Sequence, residues 1–150
     1  MISWRIAKAK YAAEVMSGHG AEKYGGRWNS SGRPVVYTSC HQSLAALETL
    51  VHLNPPVALD YVIVRLEFHD SMINVIQNSD LPKNWRSEPP PPACQSIGNT
   101  WIKESRHAVL AIPSIIIPDE INYLINPRHP DFGKIKVSKP KPFNFDRRLI

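Results

Sequence analysis

Apolar and polar residues alternate along Ile2-Ser3-Trp4-Arg5-Ile6, the two-residue period of a half-buried strand. Ala9, Ala12, Ala13 and Met16 then recur at helical spacing, which predicts a helix over residues 8–16 that Gly18-His19-Gly20 stops. Residues 21–34 show no apolar period and carry Gly25-Gly26, Asn29-Ser30-Ser31 and Gly32-Arg33-Pro34, the chemistry of a loop. Val35-Val36-Tyr37-Thr38 is β-branched and aromatic and predicts a buried strand. Ser39 is placed to cap a helix over residues 41–53, whose apolar positions Leu44, Leu47, Leu50 and Val51 are three and four apart and which Asn54-Pro55-Pro56 ends. Residues 61–68 and 72–76 read as strands around a His69-Asp70-Ser71 turn, and the four prolines 89–92 as a stiff polyproline loop. A helix over 93–105 turns Ile97, Trp101 and Ile102 inward; strands follow at 108–112 and 134–139. Residues 113–118, bounded by prolines, read as an edge strand or strand end, and 122–132 as a rigid polar loop. Six or seven short strands and three helices without βαβ alternation predict an α+β fold, with a mixed or antiparallel β core and flanking helices.

A chain of 150 residues buries roughly 70% of its unfolded surface, enough for one core, so a single domain over residues 1–150 is expected. No apolar run approaches the ~20 residues of a membrane span, and the first residues lack the basic and apolar regions of a signal peptide; a cytoplasmic protein is expected. Cys40 and Cys94 read as reduced thiols. With no CxxC and six scattered histidines, no metal site is expected. The net charge of +5 and pI near 9.4 suit any polyanionic ligand, nucleic acid included. Much of the excess lies in Lys134, Lys136, Lys139, Lys141, Arg147 and Arg148, which read as a solvated basic run.

Walker, GxGxxG, HExxH and GxSxG motifs do not occur, which leaves three other signals. In Gly25-Gly26-Arg27-Trp28-Asn29 the glycines let backbone approach a ligand, Arg27 offers a fork for phosphate oxygens and Trp28 a stacking face. The plainer account, a glycine turn with Arg27 solvated and Trp28 in the core, is the commoner one for such a segment. Glu48 lies on the rim of the Leu44, Leu47 and Val51 stripe, where a carboxylate is partly desolvated, with His52 one turn on. Its helix follows the strand bearing Tyr37, so loop, strand end and helix converge on one pocket. The third signal is the Ser114 hydroxyl at a strand end, followed by the polar residues of the 122–132 loop.

Together these segments resemble the RES-domain family, named for an arginine, a glutamate and a serine. The resemblance runs in order through Gly25-Gly26-Arg27-Trp28-Asn29, Gly32-Arg33-Pro34-Val35-Val36-Tyr37-Thr38-Ser39, Ala46-Leu47-Glu48-Thr49-Leu50-Val51-His52-Leu53, Pro113-Ser114-Ile115-Ile116-Ile117-Pro118, Asn122-Tyr123-Leu124-Ile125-Asn126-Pro127, His129-Pro130-Asp131-Phe132 and the closing Pro142-Phe143-Asn144-Phe145-Asp146-Arg147-Arg148-Leu149. It implies a fold like the diphtheria-toxin-like ADP-ribosyltransferases and a bacterial type II toxin that depletes NAD+, partnered by an Xre-type helix-turn-helix antitoxin. It further implies Glu48 at the ribose, Arg27 on pyrophosphate or inorganic phosphate, and Tyr37 against the nicotinamide. Ser114 would bond an amide or ribose hydroxyl, with Asn126 on the same rim and Trp28 beside the substrate. NAD+ is then the substrate and phosphate the expected co-substrate, with no further cofactor; water or a protein side chain are the alternative acceptors. From another class, a basic RNase toxin or nucleic-acid-binding protein explains the charge, but no recognition helix or paired aromatics support it. Homodimerisation stays open, since no coiled-coil pattern speaks for it.

Overall fold

A computed structural model of the chain describes residues 1–52 and 60–149. Its centre is an eight-stranded sheet of β1 (Ile2–Lys8), β2 (Val36–Ser39), β3 (Tyr61–Glu67), β4 (Ile73–Val75), β5 (Val109–Pro113), β6 (Ile121–Ile125), β7 (Lys136–Val137) and β8 (Lys141–Phe143). The spatial order is β4-β5-β6-β2-β1-β3-β7, with β8 also on β3; β4–β5 is the parallel pair and the others are antiparallel. This is the mixed sheet with few helices that the sequence predicts. Among the described residues no helix is long and apolar enough to cross a membrane.

Strand alternation sorts the side chains onto two faces. On one, Val36, Val64, Leu66, Val109, Ala111, Tyr123 and Ile125 form a buried apolar group with Val15 and Phe68. On the other, Leu110, Ile112 and Leu124 pack under Trp28 and α3 (Pro92–Glu104). Further along the same face, Ile6, Tyr61 and Ile63 pack with Ala45 of α2 (Gln42–Leu50). β5 is apolar throughout because both its faces are covered, so alternation gives way to a continuous run. Gly98 sets how close α3 can come: a Cβ there would lie 1.6 Å from the Trp28 carbonyl oxygen.

Several elements differ from the sequence expectation. Residues 8–16 hold a short 3-10 helix, Ala9–Glu14, rather than an α-helix. The 21–34 loop begins inside α1 (His19–Tyr24), which is flanked by Gly18 and Gly25. Residues 121–125, read as the start of a polar loop, are instead β6, paired on both sides and buried over Tyr123, Leu124 and Ile125. Ser39 does not cap α2; it ends β2, and α2 starts at Gln42 after an extended His41. The predicted end of α2 at Leu53 falls outside the described residues; the helix itself closes at Leu50.

β1 and β2 share one registered pair, Trp4 with Ser39, and beyond it a side chain does the pairing. Arg5 Nη1 donates to the Tyr37 carbonyl at 3.0 Å and Nε to the Val15 carbonyl at 2.8 Å. Burial pushes the Arg5 guanidinium down to about 10.

Candidate active site

Glu48 lies one turn beyond Leu44 and three residues beyond Ala45, the two buried residues of α2, so it points from the helix underside toward the sheet. Beneath it, β2 and β6 place Ser39 opposite Asn122, and β5 and β6 place Ile112 opposite Asn122. Ser114, two residues past Ile112, is fully buried. Its Oγ donates to Glu48 Oε1 at 2.8 Å, and Asn122 Nδ2 donates to the same oxygen at 2.7 Å. Ser39 Oγ completes the row by donating to Asn122 Oδ1 at 2.8 Å. The carboxylate can only accept, so it fixes the Asn122 amide with nitrogen toward Glu48 and oxygen toward Ser39. Ser114 Oγ also accepts from Ile116 N at 3.0 Å and Ile117 N at 3.2 Å, which tie its rotamer to the turn after β5.

Two neutral donors therefore hold Oε1, while Oε2 has no hydrogen-bond partner among the described residues. Nor does Glu48 take part in an ion pair among them. A half-buried carboxylate held rigidly without a counter-cation is suited to stabilise positive charge that develops beside it.

Tyr37 stands two residues before Ser39 and so on the same sheet face. Its hydroxyl donates to Asn29 Oδ1 at 2.6 Å and accepts from Trp28 N at 3.3 Å. Burial holds the phenol above its ordinary pKa, against the opposing pull of the Trp28 N–H and the Arg27 charge. Asn29 is fully buried and spends its amide on the carbonyls of Ala21, Ser30 and Arg33, which shapes the glycine loop from within. A Cβ at Gly26 would meet the Tyr37 hydroxyl at 2.7 Å, so glycine is required where loop and phenol touch. Arg27 Nη1 donates to the carbonyls of Trp85 at 3.0 Å and Ser87 at 2.8 Å; Nη2 pairs with Glu88 at 2.6 Å. Arg86 links the same 85–88 segment to the Ile115 carbonyl beside Ser114.

The sequence candidates thus divide. Glu48 and Ser114 are in direct contact, Tyr37 shares their face, and Arg27 adjoins Tyr37 through the glycine loop. Trp28, expected beside the substrate, is 3% exposed and packs in the core against Trp85 at 6.4 Å, so it offers no free stacking face. Asn126 lies just past the other end of β6, about 13 Å along the strand from Asn122. Its Oδ1 accepts from Arg128 N, which makes it a turn residue rather than part of this rim. His52 is exposed and makes no hydrogen bond to Glu48 among the described residues. Asn122 and Ser39 belong to the site, yet were read as a loop residue and a helix cap. The one available signal was the strand-like Ile121-Asn122-Tyr123-Leu124-Ile125, where a lone amide interrupts an otherwise apolar and aromatic run.

A family model described as the RES domain matches residues 2–146. The chain is 41% identical over 151 residues to "Toxin Res" of Yersinia enterocolitica, covering 99% of both chains. It is 40% identical to the "Prs ADP-ribosylating toxin" of a Sphingobium species, covering 98% of this chain and 95% of that one. In fold it is similar to a chain of the M. tuberculosis MbcT–MbcA toxin–antitoxin complex, with a TM-score of 0.74 at 13% identity over 95% of this chain and 84% of that one.

Proposed function

Starting from a chain that belongs to the RES-domain family, we propose that it is the toxin of a toxin–antitoxin pair and cleaves the nicotinamide–ribose bond of NAD+ in the cytoplasm. The observation that carries this reading is the Glu48 carboxylate, fixed through one oxygen by Ser114 and Asn122 on the face that also bears Tyr37. When the C1″–N bond breaks, the bonding pair leaves with nicotinamide as a neutral base, and the ribose carbon gains oxocarbenium character. Glu48 Oε2 stabilises that charge or bonds a ribose hydroxyl. Tyr37 sets an electron-rich ring toward the cationic nicotinamide. Ser114 acts as a positioning residue, since its hydroxyl is committed to Glu48 and to the turn amides.

Arg27 holds the substrate pyrophosphate or inorganic phosphate. Its present anionic partner, Glu88, is 76% exposed, so an incoming phosphate oxygen exchanges with that carboxylate while the two carbonyls keep the guanidinium in place. Attack of a phosphate oxygen on C1″ then gives ADP-ribose-1″-phosphate, the product of an NAD+ phosphorylase. This reading carries with it an ADP-ribosyltransferase-like fold and an Xre-type antitoxin that covers the site. The names of the toxin relatives and the toxin–antitoxin setting of the structural neighbour support an antitoxin partner.

A second reading, transfer of ADP-ribose to a protein, is favoured by the name of the Sphingobium relative. One experiment separates the two. Purified chain is incubated with NAD+ in buffer with and without inorganic phosphate, then with cell lysate, and small molecules and proteins are resolved by mass. Nicotinamide and ADP-ribose-1″-phosphate that depend on phosphate support the phosphorylase, and free ADP-ribose marks a hydrolase. Adducted protein without phosphate-dependent NAD+ loss supports the second reading, and intact NAD+ throughout overturns both.

A further inference from the structure

A second group of reactive side chains lies beside the first and takes no part in the proposed chemistry. β2 ends at Ser39, and the next two residues, Cys40 and His41, meet Glu120 at the end of the β5–β6 loop. Cys40 Sγ lies 3.2 Å from His41 Nδ1, which lies 3.3 Å from Glu120 Oε1. Ligand atoms of all three fall within 4.8 Å of one another. We propose that Cys40, His41 and Glu120 form a binding site for one divalent, borderline-soft metal ion of the zinc type.

The argument rests on donor chemistry and spacing. One thiolate, one imidazole and one carboxylate are the ligand types that zinc takes. Bond lengths of about 2.3 Å to sulfur and about 2.0 Å to nitrogen and oxygen, at tetrahedral angles, put sulfur and nitrogen roughly 3.6 Å apart and nitrogen and oxygen roughly 3.3 Å apart. The observed 3.2 and 3.3 Å lie within a few tenths of an ångström of these, and the sulfur and the carboxylate oxygen, within 4.8 Å of each other, close the remaining gap by side-chain rotation at positions that are half-buried at Cys40 and Glu120 and exposed at His41.

The backbone beneath is already held: Cys40 N donates to Ile121 O, Ser114 N to Glu120 O and Glu120 N to Ile117 O. Such a frame lowers the cost of ordering the ligands. Three protein ligands leave the fourth position to water, and binding releases the Cys40 thiol proton to solvent. An ion here ties the entrance of α2 to the β5–β6 loop. Those are the segments that bring Glu48 to Ser114 and Asn122, so occupancy stiffens the neighbouring site.

The test uses the untagged full chain, reduced with a phosphine, stripped by a chelator and titrated with Co2+, then with Zn2+ in competition. One equivalent of Co2+ giving a thiolate-to-metal charge-transfer band that Zn2+ abolishes is the expected result. Cys40→Ser removes the band. His41→Ala, at an exposed position where folding is not at stake, weakens binding by roughly tenfold or more, at least what loss of an outer-shell partner costs. No band, or Co2+ binding that His41→Ala leaves unchanged, overturns the site. The readout is metal binding alone, so it stands or falls apart from the NAD+ reading.

Discussion

Glu48 is held in one direction without being paired with a cation among the described residues. Both its donors, Ser114 Oγ and Asn122 Nδ2, are neutral and reach the same oxygen, so they fix its direction and leave its negative charge uncompensated. Glu48→Gln keeps the shape and removes the charge: NAD+ cleavage should fall by two to three orders of magnitude or so, as when one preorganised electrostatic partner is lost, with an unchanged melting curve. Wild-type rates in that variant would sink the assignment. Tyr37 lends itself to a pH test. The folded protein keeps the phenolic proton above the ordinary value, while the unfolded chain loses it near pH ~10. The folded state then binds more protons than the unfolded, so the stability from this group is whole below pH ~10 and is lost as the pH rises past it. Urea midpoints from about pH 8 to about pH 11 should decline less steeply for Tyr37→Phe than for wild type, and parallel declines would refute this.

At the scale of elements, the site depends on α2 and α3 being set on one sheet face at fixed heights. α3 is held near the sheet by its contact with the Trp28 backbone at Gly98, where there is no room for a methyl group. Gly98→Ala should therefore cost about 1–3 kcal/mol or more, because the obstacle is a backbone carbonyl that cannot rotate away; denaturant unfolding would measure it. Asn122 acts through β6, which carries it between Ser39 and Glu48. Asn122→Ala should lower kcat by up to about a hundredfold with KM and fold nearly unchanged, the expected result of a carboxylate left to wander. An equal loss in KM would mean that Asn122 binds substrate itself. β6 was also the hardest strand to read. Its apolar and aromatic residues cover both faces and its lone amide, Asn122, sits near one end, so neither period appears in five residues. By contrast, β1 and α3 carry clean periods and are found almost where the pattern put them.

Over the whole molecule, much of the +5 charge lies in the C-terminal run from Lys134 to Arg148 rather than at the Glu48 site. The basic residues from Lys134 to Arg148 are exposed, and two of them, Lys136 and Lys141, lie on β7 and β8, the short strands that cover β3, where lysines guard the sheet edge against further strand pairing. On the proposed reading, their effect on the anionic NAD+ is a long-range attraction. KM for NAD+ should rise roughly threefold or more from about 0.05 M to about 0.5 M salt, with kcat steady, as the screening length shrinks. A salt-independent KM would place the whole attraction in short contacts such as that of Arg27.

While the role of Tyr37 came from the family resemblance, local pattern alone was enough to specify the α+β class, the strands and helices with a clear period, and Arg27, Glu48 and Ser114 as residues of interest. Each of these follows from covalent neighbours: a period, a glycine pair, a carboxylate at the rim of a stripe. Folding decided which of them meet. Trp28, close behind two glycines, had two readings, a stacking face or a core residue, and α3 closing over it selects the core. Asn126, expected on the rim, falls just past the end of β6 opposite to the one that carries Asn122. Cys40, His41 and Glu120 span 80 positions, and only the pairing of β2 with β6 makes them neighbours. Side-chain convergence across a sheet depends on strand order and register, which are set by burial summed over the whole chain and leave no mark at any one position.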